Sequence, residues 1–395
     1  MTTDHKYLQY PDEFADIAPY NEGNYYEKLV ALTREPGFEH AVRFSMPNVD
    51  YAEFCKELIS VTSQADFQTR IMGNFLAHIE KASTSGITAD GLENIDPSKN
   101  YTFISNHRDI VLDAALLNLM FLRHNLPVTQ IAIGSNLLIM DWITDLVKIN
   151  RSFIVKRDLP KMEALSAARH LSAYIHYTIC NMHDSIWIAQ RQGRAKDSND
   201  HTQESLIKML SLAGEGSAKD SIMETNLLPV SISYEYDPND YLKARELLLR
   251  RRDPDFKKTQ RDDLFSMETG LTGFKGRVHF SLSPCINNEL QSVDADCRNE
   301  VVAAACSAID KSIFKGYYLY PINYIAYDIV NNTDKYKSQY SAEDLAAVDK
   351  YVDNQLAKVD IPDVTDEEKH FMRITLLNMY ANPVQNKEIA EGSNE

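Results

Sequence analysis

The chain has 395 residues and a formal net charge of −16, with 44% hydrophobic and 25% charged residues. That balance fits one large or two smaller globular units with an ample core, and it disfavours a general nucleic-acid binder. The five cysteines (Cys55, Cys180, Cys285, Cys297, Cys306) are odd in number and show no C-x-x-C spacing. No disulfide framework or metal centre is expected, and a reducing cytoplasm fits best.

The opening segment, MTTDHKYLQYPDEF, has neither the basic nor the apolar region of a signal peptide. No apolar run reaches the roughly eighteen residues of a membrane span. The best, Ile131 to Ile149, is broken by Asp141, Asp145 and Lys148. Residues 1–84 read as a helical extension, aromatic-rich at first (Tyr7, Tyr10, Tyr20, Tyr25, Tyr26), with a helix from Asn24 to Thr33. Asp50 is the expected N-cap of one long helix reaching Ala82. Its apolar residues, from Phe54 and Leu58 to Phe75 and Ile79, recur at helical spacing. Packing on the main domain is its expected role.

Residues 85–290 change character. GITADGLENIDPSKNYTFIS predicts strand, turn, strand, punctuated by Gly91 and Asp96-Pro97. A polar turn, Ser105-Asn106, then leads through His107, Arg108 and Asp109 into an apolar helix ending near Arg123. Further strands are predicted at Val128–Ile133, Phe153–Val155, SIWIA, LLPVSISYEY and GRVHFSLSPCI, with helices between most of them. Strands alternating with helices predict an α/β domain with a largely parallel sheet flanked by helices. Residues 291–395 predict a helical C-terminal region, helical over 291–330 and again near the end, with the last ten residues frayed.

Four strand ends carry the polar residues. They are Asn106-His107-Arg108-Asp109 with Asp113; Arg151, Lys156 and Arg157; Gln190 to Lys196; and Pro229 with Ser231, Ser233, Tyr234 and Glu235. Ligands of open α/β sheets bind beyond the carboxyl ends of the strands. If the four converge there, they place a histidine and a carboxylate beside a basic pocket. A carboxylate on one imidazole nitrogen leaves the other able to take a proton. Arg157, Arg194 and Lys196 suit a phosphate. The implied chemistry is deprotonation of a hydroxyl on a phosphorylated substrate. HRD also evokes a protein-kinase loop, but Ala114 stands where the metal-binding Asn would be, and the companion kinase motifs are absent.

In order, the four segments resemble the glycerol-3-phosphate and lysophosphatidate acyltransferases. NHRDIVLD is similar to that family's N-H-x4-D, FIVKR (Phe153–Arg157) to its F-I-x-R, QGRAK (Gln192–Lys196) to its E-G-x-R-S-R, and LPVSISYE to its V-P-V-x-I-x-Y strand. GLENI and KGRVHFSLSPCI are similar to flanking strands of the family. The resemblance implies acyl transfer from an acyl-CoA or acyl-carrier-protein thioester to a glycerol hydroxyl, with no further cofactor. It implies His107 as general base and an Asp that orients it. Arg151, Lys156, Arg157, Gln192, Gly193, Arg194 and Lys196 would hold the phosphate, and Pro229 and its strand would shape the pocket.

Two departures stand out. The family's Asp position is Leu112 here, so the partner is Asp113, which the helix alignment favours, or Asp109. The motif Glu is Gln192, which keeps hydrogen bonding but carries no charge. The expected setting is the cytoplasmic face of a membrane, bound peripherally, with a lipid acceptor in the bilayer and no nucleic-acid partner. Lysophosphatidate is the favoured acceptor, glycerol 3-phosphate the alternative, and a non-catalytic lipid-binding relative a further one. The basic segment Lys243–Arg261 offers a contact for anionic headgroups or an acidic carrier protein. Leu116–Phe121 and Leu137–Trp142 are expected to serve core packing, with partial membrane insertion or an acyl groove as the alternative role.

Overall fold

The computed structural model describes residues 9–294 and 297–392, and Tyr7 lies outside them. The N-terminal helices are α1 (Tyr25–Leu32), α2 (Pro36–Ser45), α3 (Tyr51–Ile59), α4 (Gln64–Asp66) and α5 (Gly73–Ser83), with a π-helical stretch, Phe67–Met72, joining the last two. The single long helix expected after Asp50 is broken. Asp50 does cap α3, its carboxylate accepting from Ala52 and Glu53 N–H. The chain then leaves the helix, and Ser63 starts a new one by accepting from Asp66 N–H. Val61, Thr62 and Ser63 are poor helix formers, Val61 because its β-branch restricts χ1 and Thr62 and Ser63 because their hydroxyls favour local capping bonds.

The central region runs β1 (Ile87–Asp90), β2 (Thr102–Ser105), α6 (Leu112–Arg123), β3 (Gln130–Gly134), α7 (Asp141–Ile149), β4 (Ser152–Val155), α8 (Lys161–His176) and β5 (Ile186–Ala189). It continues through α9 (Glu204–Leu210), α10 (Ala218–Glu224), β6 (Leu227–Tyr234), α11 (Asp240–Arg252), α12 (Gln260–Thr272) and β7 (Val278–Leu282). The C-terminal helices are α13 (Asn287–Gln291), α14 (Arg298–Gly316), α15 (Pro321–Asn331), α16 (Ala342–Leu356) and α17 (Asp366–Glu391). The helix expected over 291–330 is divided, because Pro321 opens α15. The residues expected to fray continue α17 to Glu391, where the left-handed Gly392 ends it. Among the described residues no helix is long and apolar enough to cross a membrane.

Among the described residues the sheet has seven strands, in the order β1-β7-β6-β2-β5-β3-β4. Every neighbouring pair is parallel except β6 and β7. Thus β1 and β7 run against the other strands, and β1 and β2, though close in sequence, are not neighbours. Alternate residues face opposite layers, as the strand pleat requires. Ile104, Phe153, Ile186 and Ile188 pack under α8, α9 and α14. Phe103, Trp187, Val230 and Phe280 pack against α5 and α6. The edge strand β4 is covered by the N-terminal segment, Ile154 N–H donating to Ile17 O at 2.9 Å. Two further cores flank the sheet. One joins α1 to α3 with α7, and the other joins α11 with α15 to α17.

Phe280 is fully buried in β7 between two strands of opposite direction. Phe280→Ala should cost about 3–5 kcal/mol, read as a lowered midpoint in urea unfolding. A loss under about 1 kcal/mol would mean that β7 does not belong to the core.

Candidate active site

The site begins where β2 ends. Asn106 is fully buried, and its side chain stands in for a peptide group. Its Nδ2 donates to Ile232 O at 2.9 Å, and its Oδ1 accepts from Ile232 N–H at 2.8 Å. The β2–β6 ladder is thereby extended by one residue, which fixes where His107 emerges.

His107 Nδ1 lies 2.7 Å from Asp113 Oδ2. A carboxylate only accepts, so Nδ1 carries the hydrogen and Nε2 is the free acceptor. The same Asp113 oxygen accepts the N–H groups of Arg108 at 2.6 Å and Asp109 at 3.1 Å. The loop is therefore wrapped around the first turn of α6, where a carboxylate also suits the helix dipole. Asp109 does something different. Its Oδ1 accepts from Val111 and Leu112 N–H at 2.9 and 2.8 Å, capping α6. Burial, and then the neighbouring Asp113 carboxylate, push the Asp109 pKa up. A Cβ on Gly270 of α12 would sit 2.0 Å from Asp109 Oδ2, so only glycine lets α12 lie this close to the loop. Arg108 points away, pairing with Asp200 at 2.7 Å beneath Tyr317. Tyr234, on β6, is buried beside both carboxylates, and burial followed by Asp113 and Asp109 holds its phenol well above its usual pKa.

His107 stands in the wall of a cavity of about 1010 Å³. Part of that wall is apolar. It comes from α2, α3, the π-helical stretch and α7 (Phe38, Phe54, Phe67, Trp142), and from the sheet (Ile131, Trp187). The other part is polar and contains Lys156, Arg157, Gln192, Gly193, Arg194, Lys196 and Lys258. Arg157 makes no ion pair among the described residues, and burial lowers its pKa. Gly193 adopts φ +71°, turning the loop after β5. Arg194 is only 8% exposed, and its Nη1 has no hydrogen-bond partner among the described residues. Lys196 pairs with Glu246 at 2.7 Å. Burial, then the Arg194 guanidinium, lower the Lys196 pKa to about 8 against the opposing pull of Glu246.

Two of the residues expected at the site lie elsewhere. Arg151 precedes β4, at the opposite end of the sheet from His107, and is buried in an ion pair with Asp184. A residue before a parallel strand cannot reach the carboxyl edge that the residues after it occupy. Pro229 sits inside β6 opposite Ile104 and is absent from the cavity wall. Its carbonyl accepts from Ser283 N–H at 2.9 Å just past the end of β7. Lys156 reaches the wall but pairs with Asp16 at 2.7 Å. The arginines of the basic segment are also engaged. Arg250 pairs with Glu246, Arg251 with Glu367 and Arg252 with Glu368, tying α11 to α17.

Sequence reading missed Trp187, whose ring meets His107 edge-on at 5.6 Å and whose Nε1 donates to Ser105 Oγ at 3.0 Å. A buried-strand tryptophan needs a partner for its N–H, and that was the available signal. It also missed that the N-terminal helices line the cavity, since their apolar stripes look like those of any packing helix. Leu116–Phe121 are core residues, whereas Leu137, Leu138, Met140 and Trp142 do line the cavity.

Residues 86–208 match a family model described as Acyltransferase, and the matched span holds His107, Asp113, Arg157 and Arg194. The dihydroxyacetone phosphate acyltransferase of Oryctolagus cuniculus is 26% identical over 145 residues, which cover 37% of this chain and 21% of that protein. A solved structure, the 1-acyl-sn-glycerophosphate (LPA) acyltransferase PlsC from Thermotoga maritima, aligns at 14% identity over 74% of this chain and 99% of that chain, with a TM-score of 0.36. Over residues 86–208 the chain is thus similar to acyltransferases, and it spans about a fifth of the length of the rabbit relative.

Proposed function

We propose that the protein transfers a fatty acyl group from a thioester to the free glycerol hydroxyl of lysophosphatidate, acting peripherally at a membrane surface. The observation that carries this reading is His107, backed by Asp113, in the wall of one cavity that is apolar on one side and basic on the other. His107 Nε2 would take the proton of the hydroxyl as its oxygen attacks the thioester carbonyl. The C–S bond then breaks, and the imidazolium returns the proton to the leaving thiolate. Asp113 keeps the tautomer and stabilises the imidazolium. Arg157 and Arg194 would hold the acceptor phosphate. An acceptor that carries its own chain gains from the apolar lining, whereas glycerol 3-phosphate has nothing to place there. The named activity of the rabbit relative makes dihydroxyacetone phosphate a further acceptor for the assay. Phe44 and Met140, which stand in the cavity wall, are 41% and 49% exposed, as suits a rim that meets lipid.

The direct test is release of free carrier thiol by the purified protein given a thioester and each acceptor in turn. No release with any pair would favour a lipid-binding relative without catalysis. His107→Ala and Asp113→Asn should each lower kcat by about 10²–10⁴-fold. Asp109→Asn should stay within about tenfold of the native rate, because Asn also caps a helix. The reverse ranking of the two aspartates would remove Asp113 from the orienting role.

Lys196 loses its charge as pH rises through about 8. The KM for a phosphorylated acceptor should therefore climb above that pH, and Lys196→Arg, charged throughout, should flatten the climb. An identical pH profile in both proteins would exclude Lys196 from phosphate binding. Gln192 is exposed at the cavity wall. Gln192→Glu should shift KM among acceptors, and unchanged kinetics on all of them would leave Gln192 without a role in acceptor choice.

A further inference from the structure

Arg194 and Lys196 reach the cavity wall from a segment without helix or strand, between the end of β5 at Ala189 and the start of α9 at Glu204. A loop of that length has many conformations to lose, so cations at a fixed place on it need fixed contacts. The first contacts come from the sheet. Gln190 N–H donates to Ser105 O at 2.8 Å, and Gln203 N–H donates to Gln190 O at 2.9 Å. The root of the loop is thereby closed on itself beside the end of β2.

The body of the loop is held from two other directions. One is the turn that carries His107. Arg108 Nη1 lies 2.7 Å from Asp200 Oδ2, and both side chains are buried. The other direction is the C-terminal helices. Tyr317, which caps the end of α14, donates its hydroxyl to the same Asp200 oxygen at 2.7 Å. Asp310 of α14 accepts from Thr202 N–H at 2.8 Å. From α17, Asn382 Nδ2 donates to Asp197 O at 2.8 Å and Asn386 Nδ2 to Asn199 Oδ1 at 3.3 Å. Between those two anchored residues, Ser198 takes φ +57°. A serine stays in that sparsely populated region where its surroundings hold it there.

Asp200 Oδ2 is therefore a junction of the His107 turn, the basic loop and α14. Arg108, Asp200 and Tyr317 are all absent from the cavity wall, so the junction lies behind the site. Its outer half, Asp310, Tyr317, Asn382 and Asn386, also lies outside residues 86–208, the span that matches the acyltransferase family model.

We propose that Arg108, Asp200 and Tyr317 are positioning residues, which lock the loop after β5 to the His107 turn and let the C-terminal helices set how well Arg194 and Lys196 receive the acceptor phosphate. This role rests on the acyl-transfer reading above. The buried ion pair fixes the spacing between the proposed base and the phosphate-holding cations without touching substrate. Tyr317 and the two asparagines keep the loop from relaxing away from it.

The test uses the full chain with two mild variants, Tyr317→Phe, which removes one hydroxyl, and Asn382→Ala, which frees Asp197 O from α17. Each should raise the lysophosphatidate KM about fivefold while kcat and the thioester KM stay within about twofold of native. Calorimetry should show the same weakening for short-chain lysophosphatidate and none for monoacylglycerol, which lacks the phosphate. Native acceptor KM and native lysophosphatidate binding in both variants would overturn the proposal, whatever happens to their melting midpoints. An equal loss for monoacylglycerol would also overturn it, since the effect would then not pass through the cations. A fall in kcat at constant acceptor KM would overturn it too, by placing the network behind His107 alone. Weakened lysophosphatidate binding in the variants, with no acyl transfer by the native protein, would sink the acyltransferase reading and leave the positioning role standing.

Discussion

The arrangement depends on one carboxylate oxygen. Asp113 Oδ2 accepts His107 Nδ1–H and the two backbone N–H groups that follow it, so the loop between β2 and α6 closes around a single acceptor. These N–H groups of the loop would otherwise be unpaired in a buried setting, which is costly. Because the histidine shares that acceptor, folding of the turn and orientation of the imidazole are one event. Asn106 anchors the other side by completing the β2–β6 ladder with its side chain. The proposed base is thus held between a strand end and a helix cap, with Trp187 against its edge.

Around this fixed point the walls come from distant parts of the chain. The apolar wall is largely the N-terminal helices and α7, and the basic wall is the segments after β4 and β5 together with Lys258, which precedes α12. The close approach of α12 depends on Gly270, which leaves room for the Asp109 carboxylate. Charge is distributed economically. The exposed arginines at the end of α11 neutralise carboxylates of α11 and α17, while Arg157 and Arg194 keep no carboxylate partner among the described residues. A cation left unpaired in a partly buried place is unfavourable on its own, and it becomes favourable when an anion arrives. In the proposed reading that anion is a substrate phosphate.

Much of the architecture could be read from the residues. Short apolar runs such as TFIS and SIWIA, alternating with helical stripes, announced a layered α/β domain, and the strands lie where their apolar runs and Gly or Pro stops placed them. Local rules failed where two local preferences competed. The helix after Asp50 broke at Val61–Ser63, because a second cap outcompeted the continuing stripe. Arg151 was grouped with Lys156 and Arg157 by nearness in sequence, yet a four-residue strand between them sends it to the far edge of the sheet. Pro229 carried a motif likeness, but its side chain belongs to the interior.

By itself the sequence determined the strands, most of the helices and the strand ends where His107, Arg157, Gln192 and Arg194 would stand, because those follow from periodicity and from short-range turn chemistry. It left both aspartates as partners for His107, since Asp109 and Asp113 are each within reach along the chain. Tertiary structure separated them. Wrapping the loop over the first turn of α6 brings Asp113 to the imidazole and turns Asp109 toward the helix N–H groups and α12. It also decided that helices from the N-terminal region would line a cavity centred on the sheet. Such pairings join residues far apart in the chain, and the closeness they require is set by packing, which no local pattern records.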